Sequence, residues 1–149
     1  MKHKAPWILM FVALAGPSPV FADGGSAVIA RQACMKASTS GFNAMLPMFK
    51  GEKPFDAAAV PKVLNGIEFV CSDWKQFWPQ DSQAVPGLKS RADATIWSDA
   101  IGFQRSSDAY FAALKIMADA HDEASFKASF LALSHACSAC HQNYRSPED

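Results

Sequence analysis

The sequence predicts an all-α chain folded as an antiparallel, up-down-up-down four-helix bundle, and three observations carry that prediction. Four stretches of the 149-residue chain repeat apolar residues at steps of three and four, the spacing that lines one face of a helix. Breaks rich in Gly, Pro, Ser and Asp separate these stretches. No stretch sustains the strict alternation of a half-buried strand. Four helices with short links pack most simply as neighbours running alternately up and down.

The first element is not part of that bundle. Met1 to Lys4 is basic, Ala5 to Gly16 is apolar, Pro17 and Pro19 break the run, and Val20-Phe21-Ala22 offers small residues where a signal peptidase reads. Residues 1–22 therefore read as a secretory signal peptide cut after Ala22, and residues 23–149 as one domain. The apolar run falls short of the roughly 20 residues that span a bilayer, which argues against stable membrane insertion. Without Lys2 and Lys4, the 14 basic and 14 acidic residues become 12 basic against 14 acidic. A slightly negative chain is a poor ligand for nucleic acid or an anionic membrane.

Segment one runs from about Ala27 to Lys50, with Val28, Met35, Phe42 and Phe49 at seven-residue intervals and Arg31 and Met45 between them. Pro47 should kink or fray its last turns, and Gly51-Glu52-Lys53-Pro54 ends it. Segment two starts with Asp56 as N-cap, Phe55 and Val60 being spaced as a hydrophobic staple. Its stripe of Val60, Val63, Leu64, Ile67, Val70, Cys71, Trp74 and Phe77 stops at Pro79. Residues 80–94 are the longest stretch without a period. Segment three spans about Thr95 to Ala120, with Ile96, Ala100, Phe103, Tyr110, Leu114 and Met117 on one face. Segment four is capped by Asp122 and carries Phe126, Phe130, Leu133, Cys137, Cys140 and Tyr144 at steps of three and four.

The chemistry sits near the end of segment four, in Cys137-Ser138-Ala139-Cys140-His141. A Cys-x-x-Cys-His run reads as a c-type haem attachment site. Both thiols add to the haem vinyl groups, and the adjacent imidazole binds iron from one face. The spacing puts the two thiols on nearly the same side of a helical turn. A thioredoxin-like dithiol would follow a strand, and none is expected before Cys137. A structural zinc site needs four ligands, whereas Cys34 and Cys71 stand single and distant. A Cys137–Cys140 disulfide would close a very small loop and constrain little.

The topology ranks the side chains that could meet the iron from the other face. The starts of helices one and three and the ends of helices two and four share one end of the bundle. Met35 stands about 13 Å along helix one, at the level of His141. Met45 and Met48 lie roughly 15 to 20 Å farther along, Met117 lies near the opposite end, and Met10 leaves with the signal peptide. Met35 is thus the candidate sixth ligand, its other reading being an ordinary core methionine. His121 and His135 are not expected to bind iron. Arg145, one turn past His141, and Arg31, one turn before Met35, could each pair with a haem propionate or stand as solvated charges. Trp74, Phe77 and Trp97 fall at the same end and would wall the ring. Cys34 and Cys71 reach similar heights on helices one and two. They form either a bridge pinning those helices or two buried free thiols.

These residues together give the chain a likeness. Arg31-Gln32-x-x-Met35-Lys36 in helix one, Lys50-Gly51-Glu52-Lys53-Pro54-Phe55-Asp56 at the first turn, Ile96-Trp97 opening helix three, and Cys137 to His141 followed by Tyr144-Arg145 resemble the cytochrome c′ family, the class II c-type cytochromes. The resemblance covers nearly all of residues 23–149. It implies one covalent haem c held by Cys137 and Cys140, with His141 on the iron; Arg31, Gln32 and Arg145 fall within the matching motifs, and Trp74 and Phe77, placed at the same end by the topology, complete the expected surroundings. It points most to the low-spin cytochrome c-556 branch, in which a Met at the Met35 position also ligates iron. The implied function is a periplasmic carrier of single electrons that meets a redox partner protein. The alternative is a five-coordinate, high-spin cytochrome c′ that binds NO or CO. An enzymatic role is not expected, because no distal His is placed for acid–base work on a peroxide. The resemblance also implies a homodimer through helices one and two.

Overall fold

The computed structural model describes residues 23–147, so the expected signal peptide lies outside the described residues. Among the described residues five α-helices form: α1 Gly24–Phe49, α2 Ala59–Cys71, α3 Thr95–Ser98, α4 Ala100–Ala118 and α5 Glu123–Tyr144. The short α3 leads into α4, so the bundle has four long members. α1 packs against α2 and α5, and α4 against α2 and α5. That closed ring of neighbours is the up-down-up-down bundle. Among the described residues no helix is long and apolar enough to cross a membrane, and the only β-pairing is an antiparallel bridge between Ala92 and Arg145.

Local chemistry sets most helix ends. Asp23 caps α1, accepting from the Ser26 N–H at 2.8 Å. Against the expected fraying at Pro47, α1 runs through the proline to Phe49. It then closes with Gly51 in the left-handed region (φ 75°). The Gly51 N–H reaches Met48 O at 3.2 Å and the Glu52 N–H reaches Pro47 O at 2.9 Å, the paired bonds of a Schellman stop. Asp56 Oδ1 accepts from the N–H groups of Ala58 (2.9 Å) and Ala59 (3.2 Å), but it is not the expected N-cap: α2 becomes regular only at Ala59, and its N-cap is Ala58. Asp122 and Ser125 form a reciprocal capping box at the start of α5.

Two expected helices are shorter than their stripes. α2 ends at Cys71, not at Pro79, and residues 74–76 and 80–82 form single 3₁₀ turns. Side chains from other elements hold the carbonyls that follow. The Phe77 carbonyl accepts from Arg31 at 3.4 Å, and the Trp78 and Pro79 carbonyls accept from the Trp97 indole at 3.1 and 3.3 Å. The third segment breaks at Asp99, which leaves the helical region (φ −119°, ψ 58°). Its carboxylate caps α4 through the Gly102 N–H at 3.1 Å and accepts from the Tyr144 hydroxyl at 2.8 Å.

The core divides between the two ends. At the end away from the motif, Phe126, Phe130, Met45 and Met117 are fully buried, and Phe42 and Phe49 stack on Phe130 at 4.3 and 4.5 Å. Cys34 and Cys71 are joined by a disulfide with Cα atoms 5.0 Å apart, which pins α1 to α2. The two helices also approach closely at Gly41, where a Cβ would stand 2.7 Å from Ile67 Cδ1 and 2.9 Å from Val63 Cγ1.

Candidate haem site

The other end of the bundle opens into a cavity of about 1340 Å³. Pockets for drug-sized ligands run to about 1,000 Å³, so this one admits a larger group. α5 contributes Cys137, Cys140 and His141 to one side, and α1 contributes Gln32, Met35 and Phe42 to the other. α4 adds Phe103 and Tyr110, and the residues after α2 add Trp74 and Trp78. Residues 83–92, which carry no helical period, supply the remaining wall.

The donor set fits haem c. Both thiols are half-buried and not bridged to one another. Burial pushes both above the ordinary thiol pKa, and Cys137 pushes Cys140 further. His141 sits at the cavity edge, and loss of solvent around its ring lowers its pKa. The Arg145 and Arg91 guanidiniums push it the same way. Each effect favours the neutral imidazole, the form that binds metal.

The methionines separate cleanly. Met35 is half-buried and lines the cavity. Met45, Met48 and Met117 are buried in the apolar core away from it. His121 and His135 are absent from the wall.

Arg31 lines the cavity but is almost wholly engaged by the chain. It is 3% exposed. Nη1 donates to Ser82 Oγ at 2.9 Å and to the Phe77 carbonyl; Nη2 donates to the Ser82 carbonyl at 2.8 Å and to Ser90 Oγ at 2.9 Å. The guanidinium also lies over the Trp78 ring at 5.0 Å and the Trp97 ring at 5.6 Å. It therefore fixes the wall of residues 77–90, a role the sequence did not suggest. Gln32 works alongside, donating to the Lys89 carbonyl at 2.6 Å. Arg145 lines the cavity beside His141.

Two expected wall residues are displaced. Phe77 is buried behind Trp74, with ring centroids 6.2 Å apart, and does not reach the cavity. Trp97 also stands outside it, held by its bonds to the 78–79 carbonyls. Trp78 and Phe103 take their places, in T-shaped contact at 4.7 Å. Their positions follow from the 3₁₀ turns after Cys71, which rotate the aromatics away from the helical stripe. Tyr110 was legible only as a core position. Its hydroxyl meets Ser38 Oγ at 2.7 Å on the cavity wall, and burial pushes its pKa up to about 12.

The far end of α5 is tied down. The Asn143 carbonyl accepts from Thr95 Oγ1 at 2.8 Å, and the Tyr144 carbonyl accepts from the Asp93 N–H at 3.1 Å. The Ser146 N–H then reaches the Arg91 carbonyl at 2.9 Å, and Arg91 Nε donates to the Ser146 carbonyl at 3.0 Å.

A helical bundle whose last helix presents Cys-x-x-Cys-His to a large, mostly apolar cavity defines a c-type cytochrome. Comparison with known proteins narrows the class. The Cytochrome C' family profile matches residues 26–145. A cytochrome c′ of Alcaligenes xylosoxydans xylosoxydans is 32% identical over 129 residues, covering 84% of this chain and 97% of that protein. A cytochrome c-556 of Agrobacterium tumefaciens (strain apple 185) is 33% identical over 134 residues, covering 86% and 100%. Among solved structures, cytochrome c′ from Rhodobacter spheriodes gives a TM-score of 0.74 at 28% identity, covering 85% of this chain and 100% of that one. A nitric oxide complex of a point mutant of cytochrome c prime from Alcaligenes xylosoxidans gives 0.73 at 29%, covering 85% and 99%. The chain belongs to the cytochrome c′ family and carries a covalently bound haem c.

Proposed function

We propose that this chain is a periplasmic carrier of single electrons in which Cys137 and Cys140 anchor the haem and His141 and Met35 are the two axial ligands. The observation that carries this reading is the placement of Met35. It is the one described methionine on the wall of the cavity that His141 also lines. Bound haem supplies a one-electron ferric–ferrous couple.

The protein's own residues perform the rest. The neutral His141 ring offers a lone pair on one side, and the Met35 thioether offers a soft, uncharged donor from α1. Such a sulfur ligand raises the potential relative to a second imidazole. Trp74, Trp78 and Phe103 exclude water from the wall, and Arg31 fixes the segment that brings them there. His141 is the one described histidine on the wall, which supports a role without acid–base catalysis. Residues 1–22 act as the export leader. Ile29 on α1 and Phe69 on α2 are 59% and 84% exposed, which supports a homodimer through those helices; sedimentation velocity tests it.

Optical spectra decide the ligand set. The ferric protein should show a weak sulfur-to-iron charge-transfer band in the far red, and Met35→Ala should abolish it. A high-spin ferric wild type at neutral pH, with rapid CO binding by the ferrous form, overturns the reading and makes the protein the five-coordinate gas binder.

A further inference from the structure

Two hydroxyls on the cavity wall meet across a diagonal of the bundle. α1 packs against α2 and α5, and so does α4, which sets α1 and α4 at opposite corners. Ser38 of α1 and Tyr110 of α4 close that diagonal at 2.7 Å, and both line the cavity. Tyr110 is 8% exposed, its ring in T-shaped contact with Phe111 at 5.0 Å. Burial raises its pKa, and the neighbouring Cys137 thiol raises it too. The phenol therefore stands between the haem-anchoring side of α5 and the turn of α1 that carries Met35.

The protons of this pair run in one order. A serine inside a helix can bond back to the carbonyl one turn before it, and Ser38 Oγ donates to the Cys34 carbonyl at 2.8 Å. A serine hydroxyl has a single proton, so Tyr110 is the donor to Ser38. With a pKa of about 12, the phenol keeps its proton at neutral pH. The chain of bonds ends on the Cys34 carbonyl, which shares one rigid peptide unit with the Met35 N–H. Met35 and Ser38 stand three apart on α1 and share a face. Neither hydroxyl belongs to the proposed ligand set.

We propose that Tyr110 is a positioning residue for the sixth ligand: through Ser38 it holds the Cys34–Met35 peptide where the Met35 sulfur can meet iron, and so keeps small gases from that face. The proposal rests on the reading of Met35 as a ligand and adds what sets the lifetime of its bond. Groups behind a metal ligand tune the bond without touching the metal. With the tie cut, this turn of α1 is freer, Met35 leaves more often, and the balance moves toward the five-coordinate gas binder.

The test uses the haem-loaded protein and CO. On the ligand reading, CO reaches ferrous iron only after Met35 leaves, so at high CO the binding rate levels off at the rate of sulfur departure. Tyr110→Phe, which keeps the ring, should raise that limiting rate about fivefold, the equilibrium factor of one ordinary buried hydrogen bond. Ser38→Ala should do the same, and the double variant should exceed neither, because the two hydroxyls act as one unit. Ser38→Thr, which keeps the hydroxyl, should keep the wild-type rate. The far-red band of the ferric protein should weaken in Tyr110→Phe and Ser38→Ala and hold in Ser38→Thr. Ser129→Ala removes a buried serine that is not on the cavity wall and should leave both readouts unchanged. A wild-type limiting rate and band in Tyr110→Phe, single effects that add, or equal changes in Ser129→Ala would each overturn the positioning role and leave Met35 as ligand. A wild type with no far-red band, whose CO rate climbs with concentration and never levels off, overturns the ligand reading itself, and the positioning role with it.

Discussion

Replacing Cys34 and Cys71 together by alanine removes the one covalent tie between α1 and α2. The two residues are 37 apart in sequence. Opening a loop of that length frees the unfolded chain by about 13 cal/mol/K, or about 4 kcal/mol at room temperature. That is a large share of the roughly 5–15 kcal/mol by which domains are stable. Guanidinium denaturation of the haem-loaded protein, followed by far-UV circular dichroism, reads the change. With a slope of about 4 kcal/mol/M, the midpoint should fall by about 1 M. The site should survive, because Gly41 still seats α1 against Ile67 and Val63. The folded variant should therefore keep its wild-type spectrum, although Cys34 directly precedes Met35. A stability loss under about 1 kcal/mol would refute the chain-entropy argument. A lost far-red band at unchanged stability would show instead that the bridge positions Met35.

Two glycines on facing helices should respond in opposite directions. Gly66→Ala in α2 meets open space and should stabilise by about 0.5–1 kcal/mol, whereas Gly41→Leu drives atoms into Ile67 and should cost about 1–3 kcal/mol; urea midpoints of both variants check this. Acid should weaken the fold in a defined window. Hydrogen bonds from Ser26, Thr95, Tyr144 and Ser125 hold Asp23, Asp93, Asp99 and Asp122 below the ordinary carboxylate value of 3.8. A depressed folded-state pKa gives stability that is complete above the unfolded value and is lost as pH falls through the folded one. Thermal midpoints should hold down to about pH 4 and drop below it, with a shallower drop in Asp99→Asn; a midpoint flat to pH 2 would refute the assignment.

The parts of the fold that depend on neighbours in sequence were legible in it. Asp122 before an apolar run is a cap wherever it occurs, and Gly51 after the last periodic residue of α1 is a stop. The Cys34–Cys71 level followed from counting residues to the turn, because the rise per residue is fixed. Met35 emerged by the same arithmetic. What escaped depends on contacts distant in sequence. The stripe of α2 continued to Phe77, but the chain leaves the helix after Cys71, and Arg31 and Trp97, distant in sequence, hold the carbonyls of Phe77 and Trp78. The change of backbone moved Phe77 off the cavity and Trp78 onto it. Residues 83–92 showed no helical period, and Gly87 turns the chain there at φ 80°. A loop's place on a cavity wall has no period to betray it.

On the proposed carrier reading, the ties at the end of α5 bear on how fast an electron can move. Helix ends fray because their last carbonyls have no partner, and a frayed turn lets its side chains swing. Here Asn143 and Tyr144 give their carbonyls to Thr95 and Asp93, only two and three residues past His141. An imidazole on so firm a base keeps one orientation whatever the charge in front of it. In electron transfer the barrier is set largely by the atoms that must shift when the charge changes. On that reading, the short bridge at residues 91–93 and 144–146 would lower the reorganisation energy.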